Sequence, residues 1–179
     1  ASADALEGAA SAARGAATAE RAVVSGLARG IDQAAMGAAL DAGAAVIGIP
    51  TEGIRVVARS PEIRRRVHAG ELCIASPYGP SMRFTAGNAM GRNKIIYALA
   101  DVTLVVCTDA GSGGTWGGAT EALRRGFGPV AVWTGNGAGP GNADLVGRGA
   151  TPLDDLETLV GISPGAPPPP APTQPALFE

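Results

Sequence analysis

Short apolar runs alternate with longer mixed stretches along this chain, and that rhythm predicts its elements. The runs are AVVS at 22–25, AAVIGIP at 44–50, LCIA at 72–75, VTLVVC at 102–107 and PVAVW at 129–133. Their length and β-branched content are those of buried strands. Helical stretches precede and separate them: an Ala-rich segment from Ala3 to Glu20, then one from the GLARGID turn to about Asp41, with Gly43 as its C′ residue. A third covers 60–68, with Ser60 as N-cap and Pro61 in the first helical position; a fourth includes 91–99, and a fifth runs from Thr115 to about Arg125. VTLVVC is apolar throughout, as in a central parallel strand covered on both faces.

This alternation predicts an α/β fold, a Rossmann-like doubly wound and mainly parallel sheet of five strands with helices on both faces. Its ligands belong at the carboxyl ends of the strands. After residue 133, GNGAGPGN reads as a flexible loop followed by two short helices. From Ser163 the composition shifts to PGAPPPPAPTQPALFE, which cannot join a sheet and reads as an extended or disordered tail. Residues 1–162 are therefore expected to form one domain, and residues 163–179 a tail.

Composition narrows the chemistry. No apolar run approaches the roughly 20 residues that span a bilayer, and no signal peptide is visible, so a cytoplasmic location is expected. Cys73 and Cys107 lie at or near strand ends without metal-ligand spacing and read as buried free thiols in a reducing compartment. The only histidine, His68, follows an Arg-rich stretch and reads as a surface residue; no zinc site can be assembled. Charge is uneven although the net is only −2. Residues 55–94 carry eight cations against two acids, while both flanking segments are acidic. The basic block is either an anion-binding face or the solvated side of a helix around Arg64, Arg65 and Arg66.

Three loops converge if the sheet is parallel. The first holds Ser25, Gly26, Arg29 and Gly30, where glycines let backbone N–H groups approach an anion. The second is Arg92, Asn93 and Lys94, and the third is Ser112, Gly113, Gly114 and Thr115 at a helix start. Singly, each has a structural explanation in turn glycines, solvent-facing cations and helix caps; together they favour a phosphate site. Neither GxGxxG after the first strand nor GxxxxGK[ST] is present, and no Ser-His-Asp set can be assembled, so no catalytic residue, cofactor or metal is expected.

SGLARGID, RNKIIYALADVTLVV, the SGGT turn and GNADLVGRGA at 141–150 occur in the order of the DNA-processing protein A (DprA, or Smf) family, which the chain resembles over about residues 20–152. The resemblance implies an extended Rossmann fold, single-stranded DNA binding, homodimerisation, and loading of a RecA-type recombinase during natural transformation. It assigns Ser25, Gly26, Arg29, Arg92, Asn93, Lys94, Ser112 and Gly113 to a pocket for DNA phosphates. The chain departs from the family in several places, among them GGTWGGATEAL, which is not the family's commonest sequence there. The family's first strand, ending in Gly-Ser-Arg, is not seen ahead of SGLARGID; Met36 stands in place of a frequent His; and Ala89-Met90 replace Phe-Pro.

Two alternatives share the superfold. One is a LOG-type nucleoside-monophosphate phosphoribohydrolase, whose GGxGTxEE motif has glutamates where Gly117 and Gly118 stand here; Glu121 is expected to pair with Arg125 instead. The other is a sensor that binds a nucleotide without turning it over. In the tail, Gln174, Leu177 and Phe178 resemble the peptide by which replication proteins dock on the sliding clamp.

Overall fold

The computed structural model of this chain describes residues 1–164. Helix α1 (Ala3–Thr18) leads to β1 (Val23–Ser25), α2 (Ile31–Asp41) and β2 (Val46–Gly48). Two helices, α3 (Ile54–Val57) and α4 (Pro61–His68), precede β3 (Leu72–Ile74). The second half runs α5 (Ala86–Leu99), β4 (Thr103–Val105), α6 (Gly113–Arg125), β5 (Val130–Trp133), α7 (Asn142–Val146), β6 (Thr151–Leu153) and a 3₁₀ turn at Leu156–Gly161. Local signals act as expected: the Ser60 hydroxyl accepts from the Ile63 N–H, Pro61 opens α4, and Gly43 follows α2 with φ of 80°.

Every strand pair is parallel, in the orders β1-β2-β3 and β4-β5-β6. The five expected strands are present, in two hydrogen-bonded halves, together with a sixth that the apolar pattern missed. Among the described residues, the edges of β1 and β4 that face each other carry no ladder, and a cavity of about 360 Å³ lies there. It is lined by Val23, Val24, Thr103 and Leu104 from the two strands and by Ala9 and Ala12 of α1.

Alternation along β5 explains how the second half holds together. Val130 and Val132 pack with Tyr97 of α5 and with Ala119 and Ala122 of α6, whereas Ala131 turns to Ala12, Leu153 and Leu159 on the other face. Each buried valine contributes about 2 kcal/mol. The first half is sealed by α2, whose Met36 and Ala39 meet Ala13, Val46 and Leu72.

Three expectations need correction. GNGAGPGN is a packed element with defined hydrogen bonds: the Gly141 N–H donates to the Thr108 carbonyl at 2.9 Å, and the Trp133 indole N–H donates to the Asn136 carbonyl at 2.8 Å. Its glycines are needed because a Cβ on Gly139 or Gly141 would collide with the backbone of Thr108 or Asp109. The residues after it form a strand between two short helices, since Pro152 is tolerated on the outer strand of the sheet. Cys73 is exposed and Cys107 only partly covered; β3 is also an outer strand, and its middle residue faces solvent. His68 is exposed, as expected.

Candidate functional site

The carboxyl ends of β1 and β4 open into a cavity of about 600 Å³. Its walls are the β1–α2 loop, one face of α5 and the β4–α6 loop, so the three loops singled out in the sequence do converge. Ser25, Arg29, Gly30, Arg92, Asn93, Ser112, Gly113, Gly114 and Thr115 all line it.

The first wall is built around Arg92. This residue is only 7% exposed, and its guanidinium lies against Gly26, where any Cβ would occupy the same space. Gly26 is therefore the floor beneath the cation rather than a lining residue. Among the described residues the nearest carboxylate, Asp32, stands 3.9 Å from Nη1, beyond hydrogen-bond reach, and Nε has no partner. Burial lowers the Arg92 pKa, opposed by the charges of Asp32, Tyr78 and Glu52. A buried cation without a close counter-ion is costly, and an incoming anion would relieve that cost.

The loop above it is held in an uncommon shape. Leu27 has φ of 60°, which a leucine adopts only when anchored, and its side chain packs over Gly48 and into the α2 core. The Ala28 N–H donates to the Asp32 carboxylate at 3.1 Å. Asp32 thus ties the loop to α2 and faces Arg92 together. Sequence reasoning misses this positioning role of Asp32, for which an acid four residues after a loop N–H, inside a supposed anion site, is the available signal.

The second wall offers backbone. Gly111 and Gly113 have φ of 72° and 88°, flanking Ser112 at the N-cap of α6. The Ser112 hydroxyl makes no capping bond, and Gly30 at the N-cap of α2 has no side chain to do so. Two helices therefore point uncapped N-termini into one cavity, an arrangement suited to phosphate or another oxyanion. Asp109 also reaches this rim, so the attraction for anions is local to Arg29, Arg92 and the N–H groups.

Lys94 belongs to a different face. Two residues on from Arg92 it is turned roughly 200° around the helix, and its Nζ lies 3.2 Å from Glu121. Glu121 also binds Arg125 at 2.9 Å, the pairing expected from sequence. Asn93 lines the cavity and donates its side-chain N–H to the Gly114 carbonyl at 3.1 Å, locking α5 to the start of α6. Gly118 packs against Tyr97 and Asn93, and Gly117 against Met90, so a larger side chain at either position would disturb the contact with α5. In the basic block, Arg65 and Arg66 pair with Glu62, and Arg66 also with Glu71, which makes that part of α4 a solvated ion-pair network.

The GNADLVGRGA motif has a structural reason. Asn142 is 2% exposed; its side-chain N–H groups donate to the carbonyls of Val106 and Trp133 at 2.8 and 2.7 Å, and its oxygen accepts from the Thr108 N–H at 3.0 Å. It brackets the ends of β4 and β5 beneath the second wall. Among the described residues no group of His, Cys, Asp and Glu is placed to hold a metal, and no helix is long and apolar enough to cross a membrane. Gln174, Leu177 and Phe178 lie outside the described residues.

A family profile described as DNA recombination-mediator protein A matches residues 1–162. Among solved structures, the chain is similar to DNA processing protein A from Streptococcus pneumoniae, with 25% identity and a TM-score of 0.77 over 91% of this chain and 58% of that one. It is similar to DNA processing protein A from Helicobacter pylori, described for its single-stranded DNA binding mode, at 19% identity and TM-score 0.73 over 90% of this chain and 74% of that one. A molybdenum cofactor carrier protein from Chlamydomonas reinhardtii shares the fold at 19% identity and TM-score 0.60, over 87% and 83% of the two chains. No curated protein sequence matches. The chain thus spans less than two thirds of the Streptococcus protein.

Proposed function

The chain belongs to the DNA recombination-mediator protein A family, and on that premise we propose that it binds single-stranded DNA through its phosphates and acts in DNA processing and recombination. The observation that carries this reading is the buried, under-partnered Arg92 at the floor of a cavity whose other donors are two uncapped helix N-termini. Such a site takes phosphate without reading a base, giving largely sequence-independent and salt-sensitive affinity. By resemblance to the family, the proposal extends to handing the strand to a RecA-type recombinase, homodimerisation, and a cytoplasmic role in transformation or a related process. Clamp docking through Gln174, Leu177 and Phe178 is a separate extension, tested by deleting residues 174–179 and measuring clamp and DNA binding independently.

The site is read as non-catalytic. An N-glycoside hydrolase needs an acid beside the scissile bond; Gly117 and Gly118 supply none, and Glu121 is engaged by Lys94 and Arg125. Titration with labelled oligo(dT) across a salt series tests the reading, with adenosine monophosphate as the competing substrate. Tight binding that weakens linearly in log salt supports it; absence of binding, or release of ribose 5-phosphate, overturns it.

The slot between β1 and β4 belongs to the same proposal. One more extended segment, parallel to both strands and leading into α1, would pair with the two free edges and end beside Ala1 and Ser25 at the cavity. A chain carrying such a strand ahead of Ala1 should show slowed amide exchange along the slot-facing edges of β1 and β4; unchanged exchange rejects this element.

A further inference from the structure

The segment before α5 carries an apolar surface that the phosphate pocket does not use. Phe84 is 61% exposed, beside Met82 at 46% and Ile54 at 45%. These side chains stand on a braced scaffold. The Gly53 N–H donates to the Met82 carbonyl and the Arg55 N–H to the Pro80 carbonyl, each at 2.9 Å, tying the start of α3 to the 79–84 loop. The Thr85 hydroxyl then caps α5 by accepting from the Asn88 N–H at 3.0 Å, and the Asn88 amide reaches back to the Arg83 carbonyl. Phe84 is thus held in solvent by its neighbours' hydrogen bonds, at a lasting hydrophobic cost.

The charge around it is of one kind. Arg55, Arg59 and Arg83 are exposed, and among the described residues none is paired with an acid. Glu52, the acid nearest in sequence to Arg55, is partly covered and accepts the Thr51 hydroxyl at 2.6 Å. Phe84 lies two residues ahead of α5 and eight before Arg92, a backbone span of at most about 16 Å for two extended and six helical steps, which a few nucleotides cover. An exposed aromatic ring on a braced segment that also carries unpaired arginines, a short chain span ahead of a phosphate pocket, matches the chemistry of a stacked nucleobase better than that of a protein partner.

We propose that Phe84 is a base-stacking platform for the single strand whose phosphates occupy the Arg92 cavity, with Arg55 and Arg83 flanking its backbone. This rests on the DNA-binding reading above and adds a second contact, to the base rather than the phosphate. A stacked base requires an aromatic face, whereas a merely apolar contact is satisfied by leucine.

The test compares the wild-type chain with Phe84→Ala, Phe84→Leu and Phe84→Trp for binding to oligo(dT) and to an abasic deoxyribose-phosphate oligomer of equal length, with oligomeric state followed by light scattering. Both Phe84→Ala and Phe84→Leu should lose about ten- to a hundredfold in oligo(dT) affinity with an unchanged salt slope, because no cation is removed. Phe84→Trp should retain affinity, and the abasic oligomer should bind all four proteins alike. Equal affinity of Phe84→Leu and wild type overturns the proposal. So does a fall in oligomer size with DNA affinity intact, which would make the patch a protein interface. If wild type fails to bind oligo(dT), the parent reading falls instead.

Discussion

The wall of the cavity after β1 is organised around one side chain that the backbone is shaped to admit: Gly26 is open so that Arg92 can lie on it, and Leu27 and Asp32 hold the loop around the pair. On the wall after β4 the donors are peptide N–H groups, held by glycines at positive φ and supported from below by Asn142. The first wall is buried and specific in its residues. The second is exposed, and its backbone matters more than its side chains. Substitutions should therefore act through identity on one side and through conformation on the other.

The largest effect is expected at Gly26. Gly26→Val removes the space occupied by the Arg92 guanidinium and should destabilise the fold by about 3 kcal/mol, through overpacking and a displaced buried charge. Urea unfolding measures this, and a loss under 1 kcal/mol would mean that Arg92 moves aside easily. On the opposite wall, Gly113→Ala places a Cβ at φ of 88°. Its cost should be about 1–2 kcal/mol, with oligo(dT) affinity reduced about fivefold if one N–H contact of about 1 kcal/mol is misaligned. Full affinity would show that backbone donors there do not touch phosphate. Smallest are Ser112→Ala and Lys94→Ala, each within about 0.5 kcal/mol in stability and about twofold in affinity. The serine hydroxyl caps nothing, and the lysine is engaged on the far side of α5. A tenfold loss at Lys94 would place DNA on that face as well.

The same contrast explains what could be read from sequence. VTLVVC and PVAVW were legible because strands buried on both faces show unbroken apolar runs, and the glycines and cations of the three loops were legible by type and position. Thr151–Leu153 was not, since an outer strand with two exposed residues and a proline carries no apolar run. Cys73 misled for the same reason. The stiffness of GNGAGPGN was hidden because glycine marks both flexible chain and close backbone contact, and only the neighbouring Thr108 backbone decides between them. Lys94 could have been separated from Arg92 by helical geometry alone. The division of the sheet between β1 and β4 follows from strand pairing and leaves no mark on either strand's own residues.

The salt dependence of oligo(dT) binding by wild type and Arg92→Ala tests the central claim most directly. If Arg92 neutralises one phosphate, its loss should lower affinity at least about tenfold and make the slope of log K against log salt shallower by about 0.7. Equal affinity and equal slope in the two proteins would contradict the account and place the phosphates elsewhere.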